Sequence, residues 1–200
     1  HHMGRMGDSL GQAARNIHAW SWEREVRGLD ALIINTSGCG TMVKDYGFMF
    51  REDPILKEDA AWVSAMTKDV TEYLSTLDIP TKAPELLRVA YHSACSMQHG
   101  QKITDVPIQL LRNAGFDVVS PAEGHLCCGS AGTYNILEPE IADRLKERKI
   151  ANLQAVEPQV IAAGNIGCIA QLGSGTALPV VHTVELLDWA TGGQKPERLN

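Results

Sequence analysis

From Asp8 to Arg27 apolar residues recur every three or four positions, with Leu10, Ala13, Ala14, Ile17 and Trp20 on one face. That period predicts an amphipathic helix. "ALIIN" (31–35) is a short unbroken apolar run and reads as a buried strand. The helical period returns between Pro54 and Leu77, with Asp53 able to cap and Pro54 suited to a first turn. Two prolines in "DIPTKAPE" (78–85) interrupt the pattern and mark a linker.

Beyond the linker the alternation is regular. "LLRVAYH" (86–92) predicts a strand, 104–115 a helix stopping at Gly115, and "FDVVS" (116–120) a second strand. Glu138-Pro139 opens a helix to about Val156, whose apolar arc is Ile141, Ala142, Leu145, Leu153 and Val156. "QVIAAG" (159–164) and "LPVVH" (178–182) are further strands, and "TVELLDWA" (183–190) is a closing helix. Strands alternating with helices through short connections predict an α/β fold, with short, mostly parallel sheets flanked by helices. "LIINTSGCGTM" and "VIAAGNIGCIAQ" echo each other: an apolar strand, a polar turn, then Gly-Cys at a helix start. The echo suggests two related units, the first incomplete.

Composition narrows the function classes. The 200 residues carry a net charge of −6 and no basic patch with interleaved aromatics, which argues against nucleic acid. No apolar run approaches the about 20 residues of a membrane span, and the first twenty residues hold no continuous apolar core of a secretion signal. Five cysteines without secretion signals read as reduced thiols, and the chain reads as cytoplasmic.

The cysteines carry the chemistry. Cys95, Cys127, Cys128 and Cys168 each lie just past the carboxyl end of a predicted strand. In an open parallel sheet such loops emerge on one edge, where ligand sites collect. Intervals of 31 residues between Cys95 and Cys127, and 39 between Cys128 and Cys168, therefore do not imply distance in space. Adjacent Cys127 and Cys128 are poorly placed to pair with each other. Gly129, Gly132, Gly164 and Gly167 let backbone pass close to a bulky group and hydrogen-bond its sulfurs. Helix starts after Cys128 and Cys168 would favour thiolate. Four thiolates suit an iron–sulfur cluster or a tetrahedral zinc. The absence of paired Cys-x-x-Cys knuckles fits the wider footprint of a cluster; the plainer alternative is four inert core thiols.

"YHSACSMQH", "HLCCGSAGTYN" and "NIGCIAQL", with "NTSGCGTMVKDYG" upstream, resemble the cysteine-rich CCG domain family and, within it, iron–sulfur subunits of bacterial glycolate oxidase (glycolate dehydrogenase). The resemblance covers nearly the whole chain up to Gly193. It implies a complete second cysteine-rich domain at 82–193, preceded at 1–81 by the remainder of a first, with a tail at 194–200. His1-His2-Met3 then reads either as a tag remnant or as native sequence after the first repeat's missing motif. The family's ferredoxin-like Cys-x-x-Cys-x-x-Cys runs do not occur here.

By that resemblance Cys95, Cys127, Cys128 and Cys168 hold a four-iron cluster, 4Fe-4S, with zinc or no metal as the alternative. Cys39, Gly129 and Gly167 are the further cofactor-binding positions, although Cys39 lacks the partners of its own repeat. Related non-cubane sites end in Cys-x-x-Cys, whereas Gln171 follows Cys168 and Met42 follows Cys39 at that spacing. The implied function is electron transfer: flavin-containing subunits oxidise glycolate to glyoxylate, and this subunit passes electrons towards the membrane quinone pool, peripherally at the inner membrane. Alone, the chain is not expected to turn over glycolate. The rival readings are an iron–sulfur subunit of L-lactate oxidation and a zinc-bound or metal-free docking domain.

Other residues carry weaker signals. His125, His92 and His99 could ligate, but loop and packing roles are the commoner use. Cys95 between His92 and His99 is the one candidate nucleophile. His182 suits a helix cap, and Trp20 and Trp22 suit core packing or a partner surface. "GSAG" and "GSG" lack the lysine and spacing of a phosphate loop.

Overall fold

A computed structural model describes residues 4–200; His1, His2 and Met3, and with them the question of a tag, lie outside the described residues. The chain forms two compact units, one ending at Val70 and the other running from Thr71 to Asn200.

The first unit is built around helix α1 (Met6–Arg27), strand β1 (Leu32–Ile34), helices α2 (Ser37–Lys44), α3 (Tyr46–Met49) and α4 (Lys57–Met66), and strand β2 (Thr67–Asp69). Ala13, Ile17, Leu32, Val43, Tyr46, Ala60 and Val63 form its core, with Trp20 packed against it and Trp22 exposed. The single helix predicted over 54–77 is corrected here. Asp53 Oδ1 accepts from the Ile55 and Leu56 amides at 2.9 Å each, but in the turn that contains Pro54. Helix α4 itself starts only at Lys57, with Leu56 as its N-cap and no side-chain cap, and ends at Met66. Thr67–Asp69 is extended and pairs in parallel with β1. The local period is helical throughout, yet β1 needs a partner for its backbone groups, and that pairing prevails.

Helix α5 (Val70–Leu74) starts on the last residue of the first unit and leads into the linker of the second. The second unit then runs through β3 (Arg88–His92), a short π-helix (Ser96–Gln101), α6 (Val106–Asn113), β4 (Asp117–Val119), α7 (Tyr134–Leu137), α8 (Pro139–Gln154), β5 (Val160–Ala163), α9 (Ile166–Gly173), β6 (Val180–His182) and α10 (Thr183–Ala190). The four strands lie in the order β4-β3-β5-β6, all parallel. The expected α/β architecture of short parallel sheets flanked by helices is therefore what this chain adopts.

Alternation along the strands sorts the core into two layers. Val89, Tyr91, Val160, Ala162 and Val181 pack with Leu111 of α6 and Leu186, Leu187 and Trp189 of α10. Ala90, Ile161, Ala163 and Val180 pack on the opposite side with Ile150 and Leu153 of α8 and Ile169 and Leu172 of α9. From β3 the chain steps to β4 in one direction, and from β5 it steps to β6 in the other. The crevice between the carboxyl ends of β3 and β5 is thus a topological switch point, where open α/β sheets place their ligands.

The sequence echo has a structural counterpart. β1 leads into α2 as β5 leads into α9, and β2 into α5 as β6 into α10, although α3 and α4 intervene between α2 and β2. Cys39 and Cys168 are each the third residue of their helix. His182 caps α10 as expected: its Nδ1 accepts from the Val184 amide at 3.1 Å, and Glu185 closes a capping box.

Candidate metal centre

Three loops at the switch point carry the chemistry. Cys95 follows β3 directly, Cys127 and Cys128 lie in the long turn after β4, and Cys168 sits in the first turn of α9, after β5. Helix α9 starts before Cys168 rather than after it, and no helix follows Cys128 until Tyr134, so the expected helix starts differ in position. Asn165 caps α9, its Oδ1 accepting from the Gly167 amide at 2.8 Å and reaching the Cys168 amide at 3.4 Å. Cys168 thus lies in the capped first turn of α9, the end that carries the helix's partial positive charge.

The four thiols meet. Cys95 neighbours Cys127, Cys127 neighbours Cys128, and Cys128 neighbours Cys168, each within hydrogen-bonding reach of the next. Cys128 and Cys168 are buried, while Cys95 and Cys127 are half-buried. Cys39 is exposed and belongs to the other compact unit.

Crowding governs their ionisation. Hydrogen bonds from Cys128 and Cys95 hold the Cys127 thiol far below its ordinary range. Cys168 is lowered by Cys128, with help from His92 and Ser130. The cost falls on the partners: Cys95 is pushed up chiefly by its bond to Cys127 and by burial, and Cys128 by its bonds to Cys127 and Cys168. Four sulfurs this close cannot all ionise unless a cation joins them, and a thiophilic metal supplies it.

The surrounding residues fit such a group. Gly129 donates its amide to Cys127 Sγ at 3.3 Å, and Ser130 Oγ lies 3.2 Å from Cys128 Sγ. Gly129 has φ +93°, and a Cβ there would run into the Ala142 carbonyl, so the doublet's glycine is fixed twice over. A Cβ on Gly167 would press on Asn165 Oδ1 at 3.1 Å and Ser130 Oγ at 3.3 Å. His92, 1 % exposed, has neither ring nitrogen in a well-formed hydrogen bond. One of its ring nitrogens and the sulfurs of Cys128 and Cys168 lie within 4.8 Å of one another. A donor set of four converging thiols with an uncommitted imidazole suits an iron–sulfur cluster or a thiolate-bound metal.

A clamp on the doublet loop carried no sequence signal. Gln98 Nε2 donates to both Ser93 O and Gly124 O at 3.1 Å, tying the Cys95 loop to the Cys127 loop. Fully buried Lys149 donates to Glu123 O at 2.7 Å, and Arg148 and Asn152 hold the Glu123 carboxylate, with Arg148 Nε and Asn152 Nδ2 each at 2.8 Å. Burial pushes the Lys149 ammonium below its ordinary range, while charge on Cys128 and Glu123 opposes that shift. His99 is exposed and contacts His125 O at 3.3 Å, and the His125 ring is also exposed. The compact ligand triad among the described residues therefore draws on His92 and not on these two.

A sheet whose switch point gathers cysteines from three loops defines a cysteine-rich redox or metal-binding domain. Residues 89–173 match the cysteine-rich domain family, CCG. The chain is similar to the glycolate oxidase iron-sulfur subunit of Escherichia coli (strain K12), 34% identical over 191 residues, covering 95% of this chain and 47% of that protein. The probable glycolate oxidase iron-sulfur subunit of Bacillus subtilis (strain 168) is 30% identical over 204 residues, covering 96% and 45%. Lactate utilization protein A of Geobacillus thermodenitrificans (strain NG80-2) is 27% identical over 169 residues, covering 80% and 70%. The chain thus spans about half the length of the two glycolate oxidase relatives. No described helix is long and apolar enough to cross a membrane.

Proposed function

We propose that this chain is the carboxyl-terminal portion of an iron–sulfur electron-transfer subunit in a flavin-dependent glycolate oxidase. The second cysteine-rich repeat is complete at 82–193, and residues 1–81 are the remainder of a first. The observation that carries the reading is the contact series Cys95–Cys127–Cys128–Cys168 at the switch point of the sheet. These four residues would hold a 4Fe-4S cluster, with Gly129 and Gly167 giving it room; when bound, the cluster accepts and releases single electrons. The chain's own part is to keep the thiols together, to donate the Gly129 amide towards sulfur, and to set the local charge through Lys149 and the start of α9. The flavin-containing subunits would deliver electrons from glycolate, and the membrane quinone pool would receive them. Cytoplasmic residence, peripheral to the inner membrane, follows from that assignment.

The likeness to glycolate oxidase subunits across 95% of the chain supports glycolate over L-lactate. The lactate reading draws on the 70% of lactate utilization protein A that this chain covers. After anaerobic reconstitution, the chain is mixed with the flavin-containing subunits of each system. Bleaching of cluster absorbance by glycolate, and not by L-lactate, is the result expected. Bleaching only by L-lactate would move the assignment, and stoichiometric zinc without sulfide would make the domain structural.

A further inference from the structure

We infer that His92 is itself a ligand of the metal centre, one imidazole nitrogen binding beside Cys128 and Cys168; the inference rests on the reading that these thiols hold metal. Strand alternation places the residue. Tyr91 turns to the α6/α10 side, so His92 shares the face of Ala90, which packs with α8 and α9 above the site. It is the last residue of β3 and ends against the switch-point crevice. Burial has removed its ring from water, yet neither nitrogen has a protein partner of good geometry. Buried polar groups left without partners are rare and point to an unseen ion or a functional role.

The distances suit coordination. On a single tetrahedral metal, with metal–sulfur bonds of about 2.3 Å and metal–nitrogen bonds of about 2.0 Å, neighbouring ligand atoms sit roughly 3.5–3.8 Å apart. In a four-iron cluster each thiol already takes one iron, so His92 is there a fifth ligand, added to the iron that Cys128 or Cys168 holds. The ligand atoms of His92, Cys128 and Cys168 already lie within 4.8 Å of one another. The centre then has two unlike sides: a buried one of imidazole and two thiols, and a half-buried one of Cys95 and Cys127. A neutral nitrogen in place of an anionic sulfur raises a cluster's potential.

The test reads the metal environment rather than turnover. The wild-type chain and the His92→Cys and His92→Ala variants are loaded anaerobically with iron and sulfide, assayed for both, reduced, and examined by pulsed electron paramagnetic resonance with 15N-histidine labelling. Wild type is expected to show a directly coordinated histidine nitrogen. His92→Cys should keep its iron and sulfide, lose that coupling and move to a more negative midpoint potential. A wild type that loads iron and sulfide but shows no coordinated nitrogen overturns the inference and leaves the cluster reading standing. If no sulfide is taken up, the cluster reading fails, and titration with Co2+ alone decides the role of His92. A loss of affinity of at least about tenfold in His92→Ala, with altered cobalt bands, supports ligation, and an unchanged titration overturns it. Circular dichroism checks that each variant is folded.

Discussion

Gly129 shows how closely backbone and chemistry are joined in this site. Its φ of +93° costs any other residue, and an added methyl would meet the Ala142 carbonyl carbon at 3.1 Å on the backbone of α8. Helix α8 cannot yield locally, so Gly129→Ala should displace the doublet. The expected outcome is loss of bound iron with a folded sheet, read by iron analysis beside circular dichroism. Cys128→Ser should also lose the metal, because Cys128 contacts both Cys127 and Cys168. Cys39→Ser should leave the metal content of the second unit unchanged, since Cys39 is exposed in the first unit.

At the scale of elements, the turn before the doublet hangs on α8. Arg148 and Asn152 hold the Glu123 carboxyl down to about 2, from an ordinary 4.5. A carboxylate depressed in the fold stabilises above its unfolded value and loses that contribution as pH falls through its folded one. Protection factors of the amides around 121–128, taken against the intrinsic exchange rate at each pH, should therefore fall as pH drops from about 4.5 towards 2, and Glu123→Gln should show lowered protection already at pH 7. Beneath it, Leu153→Ala should cost about 2–5 kcal/mol in denaturant unfolding, because Leu153 is fully buried between α8 and the sheet.

The same elements show what sequence pattern conveys. Strands β3, β5 and β6 and helices α8 and α10 follow from local period, because each buries the face that its own residues define. The 54–77 stretch misleads because Ala60, Val63 and Val70 keep a helical spacing across Thr67–Asp69, which is extended by a partner 35 residues away. The cysteines were legible through their places after strands. The Gln98, Glu123 and Lys149 clamp was not, since side chain to backbone carbonyl bonds follow no spacing. His92 had a usable signal in the strand's alternation, which puts it on the face opposite Tyr91.

For the whole molecule, the expected division of labour is that this chain carries electrons and others perform the chemistry on substrate. Purified and reconstituted alone, it should show no glycolate-dependent dye reduction, and activity should appear only when the flavin-containing subunits are added. The central claim is narrower: four thiols on one rim of the sheet share a single inorganic group. Iron K-edge X-ray absorption of the reconstituted chain tests this most directly. The account expects sulfur-dominated coordination with iron–iron scattering, both lost in Cys128→Ser. Iron bound singly to nitrogen and oxygen, or a spectrum unchanged by that substitution, would contradict it.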